Sequence, residues 1–127
     1  MTDQHSRTVL VVEDDTQIRI LMAAILKRGG YQVLMADNGG AAQALCRDHD
    51  GPIDLLLTDM MMPDMNGREV ADRLRSQRPA LKVLIVSAYG GSPSVMNEME
   101  TSGIPFLAKP VTPSVLLNKV QEVLGRA

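Results

Sequence analysis

The chain has 127 residues, a formal net charge of −2, 45% hydrophobic residues and 22% charged residues. This length suits a single domain, and the balance of apolar and charged residues excludes a disordered or fibrous chain. One cysteine, Cys46, excludes a disulfide framework and a four-cysteine zinc site. The longest apolar run, Ile20 to Leu26, is far shorter than the ~20 residues that span a bilayer. We therefore predict a cytoplasmic domain with no membrane segment and, because it lacks a basic surplus, no direct contact with nucleic acid.

Residues 1–7 are polar and are not followed by an apolar segment of signal-peptide length, so we predict a flexible N-terminal tail and one domain over residues 8–127. Short apolar runs recur along that domain: Val9–Val12, Val33–Ala36, Ile53–Leu57, Val83–Val86 and Phe106–Ala108. Their length and their content of Val, Ile and Leu are typical of strands that are buried on both faces.

Amphipathic stretches between and after these runs predict five helices. In the first helix the apolar residues share one face: Ile18, Leu21, Met22 and Ile25. The second helix spans about Gly39–Arg47, and residues that favour helix N-caps precede the other three: Asn66, Ser92 and Thr112. Alternating strands and helices predict an α/β fold, a flavodoxin-like doubly wound (βα)5 domain with a parallel sheet of order 2-1-3-4-5. Pro105 suits the edge position of the last strand in that order.

Acidic residues follow the predicted first and third strands. Glu13, Asp14 and Asp15 come after the first strand, and Asp59 comes after the third. In a sheet of this order, ligands bind beyond the carboxyl ends of these two strands, where the strand order reverses. Clustered carboxylates repel one another unless a cation compensates them, and oxygen ligands suit Mg²⁺. We predict a metal site at Glu13, Asp14 and Asp59. The alternatives are that strand ends are simply polar and that Asp15 caps the following helix.

Two more polar residues end strands at the same rim. Ser87 follows the fourth strand and Lys109 follows the fifth. Carboxylates, a hydroxyl and a lysine together supply a nucleophile, metal ligands, a hydrogen-bond donor and a counter-charge, which are the requirements of phosphoryl transfer.

The segments VLVVEDD, LLLTDMMMPDMNG, VLIVSA and FLAKPVTP resemble the response-regulator receiver domains of two-component signalling, the family of the bacterial chemotaxis regulator. The resemblance covers roughly Thr8 to Leu124. It implies that Asp59 accepts a phosphoryl group from a phosphohistidine on a histidine kinase or a histidine phosphotransfer protein. It also implies that Mg²⁺ (or Mn²⁺) is bound by Glu13 and Asp14, with Asp59 and the backbone carbonyl of Met61.

The same resemblance assigns roles to the residues of the last two strands. Ser87 matches the hydroxyl that senses the phosphoryl group, Lys109 the lysine that pairs with it, and Phe106 the aromatic switch position. Receivers usually have a cis peptide before the proline of the KP pair, so we expect one between Lys109 and Pro110. A downstream protein is expected to bind the face formed by the predicted fourth helix, fifth strand and fifth helix.

The resemblance also implies that Met61 and Tyr89 occupy two positions that tune the lifetime of the aspartyl phosphate. The alternative is that both are half-buried packing residues. The segments SAYGG and PFLAKPVTPSVLLNKV are similar to those of receivers in hybrid histidine kinases. Two other functions stay open. A flavodoxin-like flavin-binding protein would need a hydroxyl- and glycine-rich phosphate cradle where EDD stands. A phosphorylation-independent interaction module would not need the complete set of site residues.

Overall fold

Five parallel strands form one sheet in the order β2-β1-β3-β4-β5 in the described part of this computed structural model, residues 7–87, 97, 101 and 103–125. The strands are β1 Thr8–Val12, β2 Gln32–Ala36, β3 Leu55–Asp59, β4 Lys82–Ser87 and β5 Phe106–Ala108. The helices are α1 Thr16–Arg28, α2 Gly39–Asp48, α3 Gly67–Gln77 and α4 Pro113–Leu124. The predicted α/β doubly wound class and the predicted strand order are confirmed.

Two apolar layers cover the two faces of the sheet. Helices α1 and α4 pack on one face with the inward residues Val9, Val11, Leu55, Leu57, Leu84, Val86, Met22, Ile25, Leu26, Leu116 and Val120. Helices α2 and α3 pack on the other with Leu10, Val12, Leu56, Val83, Ile85, Ala42, Cys46, Val70, Ala71 and Leu74. Alternate residues of the three central strands serve opposite faces, and both faces are buried, as expected for a doubly wound sheet.

The third strand begins and ends two residues later than predicted, at Leu55–Asp59 instead of Ile53–Leu57. Asp54 explains the late start, because its carboxylate accepts a hydrogen bond of 2.7 Å from the backbone N–H of Thr8. The carboxylate thus occupies a position at the end of the β1–β3 pairing. Asp59 is the last residue of β3, where it pairs with Val86 of β4, so the sheet itself holds its backbone.

Side-chain caps begin three helices where the sequence places cap-type residues. The side chain of Asp15 accepts from the N–H of Ile18 in α1, which confirms its interpretation as a helix cap. Asn66 forms a capping box with Glu69 in α3. Thr112 caps α4, in which Pro113 is the first residue. These caps set the points at which the chain leaves the rim of the sheet.

Helix α1 is rotated relative to the prediction. Leu21, which the amphipathic pattern places on the core face, is 55% exposed, because the buried face consists of Met22, Ala23, Ile25 and Leu26. The periodicity locates a helix correctly, but it does not determine which edge of the apolar stripe the sheet covers. No helix in the described ranges is long and apolar enough to cross a bilayer.

The helix predicted to begin at Ser92 lies largely outside the described residues. Asn97 and Thr101, the two described positions in that stretch, are helical. Tyr89 also lies outside the described residues. The fourth helix and the role of Tyr89 therefore stay predictions.

Residues 1–6 of the predicted tail are likewise outside the described part of the chain. Arg7 is described, and its guanidinium donates a hydrogen bond of 3.1 Å to the carbonyl of Leu124. Its own carbonyl accepts from the N–H of Gln32 at 2.9 Å. The tail itself stays a prediction.

Gly67 provides a test of the packing beneath Asp59. A Cβ atom at Gly67 would lie 2.5 Å from the backbone oxygen of Asp59, whereas one at Gly40 would meet only a side-chain oxygen of Asn38 at 3.3 Å. We expect Gly67→Ala to lower stability by about 1–3 kcal/mol through overpacking. Gly40→Ala, also in a first helical turn, is the matched control and should be neutral or stabilising. Urea unfolding measures both, and equal stabilities of the two variants would contradict the close approach.

Candidate functional site

Three carboxylates converge at the carboxyl ends of β1 and β3. Ligand oxygens of Glu13, Asp14 and Asp59 all lie within 4.8 Å of one another. The sheet holds two of them, because Asp59 ends β3 and the N–H of Glu13 donates to the carbonyl of Ala36 in β2 at 3.1 Å. Glu13 is 1% exposed and Asp59 is 8% exposed, whereas Asp14 faces solvent. The cluster is a buried pair of acids with a third at its mouth.

Lys109 extends into this cluster from the end of β5. Its Nζ lies 2.8 Å from Oε1 of Glu13 and 3.4 Å from Oδ1 of Asp59. The N–H of Lys109 donates to the carbonyl of Ser87 at 2.8 Å, and the peptide bond between Lys109 and Pro110 is cis. All four residues predicted for this rim lie together in the structure: Glu13, Asp14, Asp59 and Lys109.

Burial is the largest cause of the pKa shifts of the two buried acids in this cluster, and the neighbouring acids add to it. Burial raises the pKa of Glu13, even though the hydrogen bonds from Lys109 and from the backbone of Asp15 act to lower it. Burial likewise raises the pKa of Asp59, with Lys109 opposing the change and the charge of Asp14 adding to it. Burial acts to lower the pKa of Lys109, but the hydrogen bond to Glu13 and the charges of both buried acids outweigh it and raise the pKa. The cluster therefore has the electrostatics of a site that attracts a further cation.

The donor set suits a hard divalent cation. Carboxylate oxygens are the ligands that Mg²⁺ prefers, and Mg²⁺ usually takes only one or two of them and keeps several waters. Asp59 and the solvent-facing Asp14 meet that pattern, with Glu13 behind them. The residues present fit a magnesium ion, whose positive charge would compensate the negative charge that Lys109 leaves unbalanced.

Ser87, Phe106 and Met61 are three further residues that the sequence singles out. Ser87 is the last residue of β4 and is fully buried. Phe106 pairs in register with Ile85 and packs, partly buried, against the core on the α2–α3 face. Ser87 follows Ile85 by two residues, so Ser87 and Phe106 belong to the same face of the sheet. Met61 is 54% exposed, so about half of it is accessible to solvent, and its tuning role stays a prediction.

Two charged residues with specific backbone contacts were not predicted from the sequence: Arg19 beside the cluster, and Asp64 next to the start of α2. Nη1 of Arg19, in α1, donates to the carbonyl of Glu13 at 2.8 Å. The carboxylate of Asp64 accepts from the N–H groups of Gly39 and Gly40 at 3.2 Å each, and these bonds hold its pKa below the usual range. Arg19 could have been found from the sequence, because it is a basic residue in the first turns of the helix that follows the acidic run. The signal for Asp64 was absent, because its partners are distant in sequence.

Comparison with known proteins places these features in a family. The family model described as "Response regulator receiver domain" matches residues 9–121. A cyclic di-GMP phosphodiesterase of Thermotoga maritima is 35% identical over 117 residues, which are 92% of this chain and 31% of that protein. This chain thus spans under a third of that curated relative.

Two solved structures have the same fold over almost their whole length. The receiver domain of the hybrid histidine kinase CckA superposes with a TM-score of 0.79 at 30% identity, covering 93% of this chain and 99% of that one. Response regulator protein TrrA of Thermotoga maritima, solved in complex with Mg²⁺–BeF, has a TM-score of 0.78 at 28% identity, with coverages of 92% and 98%. These similarities favour a receiver over the flavin-binding alternative.

The raised pKa of Asp59 predicts a specific pH dependence of stability. Below the ordinary value of 3.8 this carboxyl is protonated in both the folded and the unfolded states, and above its raised folded pKa its ionised form costs native stability. We therefore expect Asp59→Asn to raise the Tm of the metal-free protein at neutral pH, with a gain that shrinks as the pH falls toward 3.8. Asp72→Asn, at an exposed position on α3, is the control and should show no such trend. A gain for Asp59→Asn that is the same at every pH would refute the electrostatic reading.

Proposed function

The chain belongs to the response regulator receiver domain family, and on that basis we propose that it accepts a phosphoryl group on Asp59 in a two-component phosphorelay. The observation that carries the proposal is the convergence of Glu13, Asp14, Asp59 and Lys109 at one end of the sheet. A phosphohistidine on a histidine kinase or on a histidine phosphotransfer protein is the proposed donor.

The chemistry follows from the positions of the charges. An oxygen of the Asp59 carboxylate attacks phosphorus in line with the phosphohistidine nitrogen, so that a P–O bond forms as the P–N bond breaks. The ammonium group of Lys109, already 3.4 Å from Asp59, pairs with a transferring phosphoryl oxygen. The hydroxyl of Ser87 is the proposed hydrogen-bond donor to the product. Water then hydrolyses the labile acyl phosphate, which releases inorganic phosphate and regenerates the carboxylate of Asp59.

Glu13, Asp14, Asp59 and the carbonyl of Met61 are the residues that would hold the metal. Bound Mg²⁺ supplies positive charge to the phosphoryl oxygens and keeps the carboxylates ionised. Glu13 also fixes the position of Lys109, because its carboxylate accepts a hydrogen bond of 2.8 Å from the ammonium group.

The donor protein needs a surface beside Asp59, and α1 offers one. An open apolar groove of about 350 Å³ adjoins the cluster, and Lys109 borders both. The apolar lining consists of Ile18, Leu21, Met22, Ile25, Pro110 and Val111. The exposure of Leu21 makes sense here, because burial of its side chain by a partner contributes favourably to binding. A donor docked in this groove contacts the segment that holds Lys109, whose ammonium lies 3.4 Å from Asp59.

Signalling requires that the charge added at Asp59 alter a surface elsewhere. Phosphorylation replaces one negative charge by about two and adds acceptor oxygens. If Ser87 moves to donate to them, space opens on the face of the sheet that it shares with Phe106. The half-buried Phe106 is the bulky side chain able to move inward and fill that space. A downstream protein would bind the altered face formed by the predicted fourth helix, β5 and α4, which is the predicted fifth helix.

Phosphorylation itself is the direct test. We expect the chain to gain the mass of one phosphoryl group when it is incubated with acetyl phosphate and Mg²⁺, as read by intact-mass spectrometry. Asp59→Asn should gain none, and Asp72→Asn should behave as wild type because Asp72 is an exposed acid on α3. Phosphorylation of Asp59→Asn would overturn the site. Uptake that is unaffected by a chelator would overturn the metal's role, and no uptake at all would favour a phosphorylation-independent interaction module.

The switch is tested separately with beryllofluoride, which mimics the phosphoryl group on Asp59. We expect NMR shifts at residues 104–107, including the ring of Phe106, that disappear in Ser87→Ala. Ser76→Ala is the control, because Ser76 is an exposed hydroxyl on α3 that donates only to the carbonyl of Arg73 in the described contacts. Shifts confined to the rim around Asp59 in the wild type would reject the movement of Phe106.

A further inference from the structure

Arg19 holds the loop between β1 and α1 at its first residue. Its Nη1 donates to the carbonyl of Glu13 at 2.8 Å, and its Nη2 contacts Oγ1 of Thr16 at 3.4 Å. On the other side, the N–H of Glu13 donates to the carbonyl of Ala36 at 3.1 Å. The backbone of Glu13 is therefore held from both directions, by β2 through its N–H and by α1 through its carbonyl.

The carbonyl that Arg19 holds belongs to the peptide plane that joins Glu13 to Asp14. A peptide unit is rigid, so the orientation of this plane determines where the Cα atom of Asp14 lies and from which direction its side chain starts. We propose that Arg19 is a positioning residue of the metal site, which orients the carboxylate of Asp14 toward Glu13 and Asp59 before a divalent cation binds. This inference rests on the proposed function, in which these acids bind Mg²⁺.

The hydrogen bond from Arg19 matters because the carboxylates of the site repel one another. Three acids meet one lysine in the metal-free state, and the exposed Asp14 is the one that can turn away into water. A charge-assisted hydrogen bond from a guanidinium to a backbone carbonyl is stronger than a neutral one. Arg19 therefore opposes a rearrangement that electrostatics favours, and it reduces the reorganisation needed when the cation binds.

The positioning role and the plain charge effect have opposite signs. Arg19 is a cation beside a site that attracts cations, so simple removal of its charge leaves Mg²⁺ binding unchanged or tighter. Loss of a positioning bond weakens Mg²⁺ binding instead. The sign of the change thus separates the two explanations.

Isothermal titration of the metal-free chain with Mg²⁺ makes the measurement. We expect Arg19→Gln to raise the Kd for Mg²⁺ about 10-fold, the size typical for partners that orient metal ligands. Arg19→Lys keeps the charge but not the fork of donors, so an intermediate Kd is expected. A second readout needs no metal: in Arg19→Gln the N–H of Asp15, which donates to Oε2 of Glu13 at 3.2 Å, should exchange faster with solvent.

Arg78 provides a matched control at the opposite end of the sheet. Its guanidinium donates to the carbonyls of Cys46, His49 and Gly51 at 2.7–3.1 Å. Arg78→Gln therefore loses the same charge and the same type of bond, and it should lower the Tm without changing the Kd for Mg²⁺. A Kd in Arg19→Gln equal to or below that of wild type would overturn the inference and leave the proposed function intact. Absence of Mg²⁺ binding in the wild type would overturn the proposed metal site and this inference together.

Discussion

The burial of two carboxylates beside a third, at one end of a parallel sheet, is the constraint on which this molecule depends. Glu13 and Asp59 are almost fully buried, and the fold gives them one lysine as counter-charge. Removing ionised groups from water is costly, and their raised pKa values follow from that cost. The two apolar layers on either side of the sheet supply stabilising burial that offsets this cost. Added positive charge at the cluster would relieve it, which is the electrostatic basis of the proposed metal and phosphoryl chemistry.

The strand order places this charge where it can be used. β1 and β3 are neighbours, while β2 lies on one side and β4 and β5 on the other, so the chain reverses direction across the sheet between β1 and β3. The crossover connections leave a crevice there, into which the carboxyl ends of both strands open. Lys109 enters from the edge strand β5 through a loop with a cis peptide. Glu13, Asp59 and Lys109 thus lie at the ends of three separate strands. The sheet therefore holds the backbone at or next to each of them.

Local patterns predicted most of this arrangement, and the misses have physical causes. The apolar runs located every strand, and the cap residues located the starts of α1, α3 and α4. The third strand was displaced because Asp54 bonds to Thr8 across the sheet, which no local pattern contains. Leu21 was misplaced because periodicity cannot tell which side of a helix the neighbouring loop leaves open. Arg19 was missed because its role depends on a backbone carbonyl, which is the same in every sequence.

Hydrogen bonds hold the segment between β3 and α3 at three points. The N–H of Gly67 donates to the carbonyl of Met60 at 2.8 Å, Asp64 accepts from the first turn of α2, and Asn66 closes a capping box. Surface loops usually accept insertions and deletions, but an inserted residue here would have to leave these bonds in place or break them. Replacing an exposed side chain such as that of Met61 disturbs none of them. Substitution therefore alters the surroundings of Asp59 at a lower cost in stability than a change in the length of the segment.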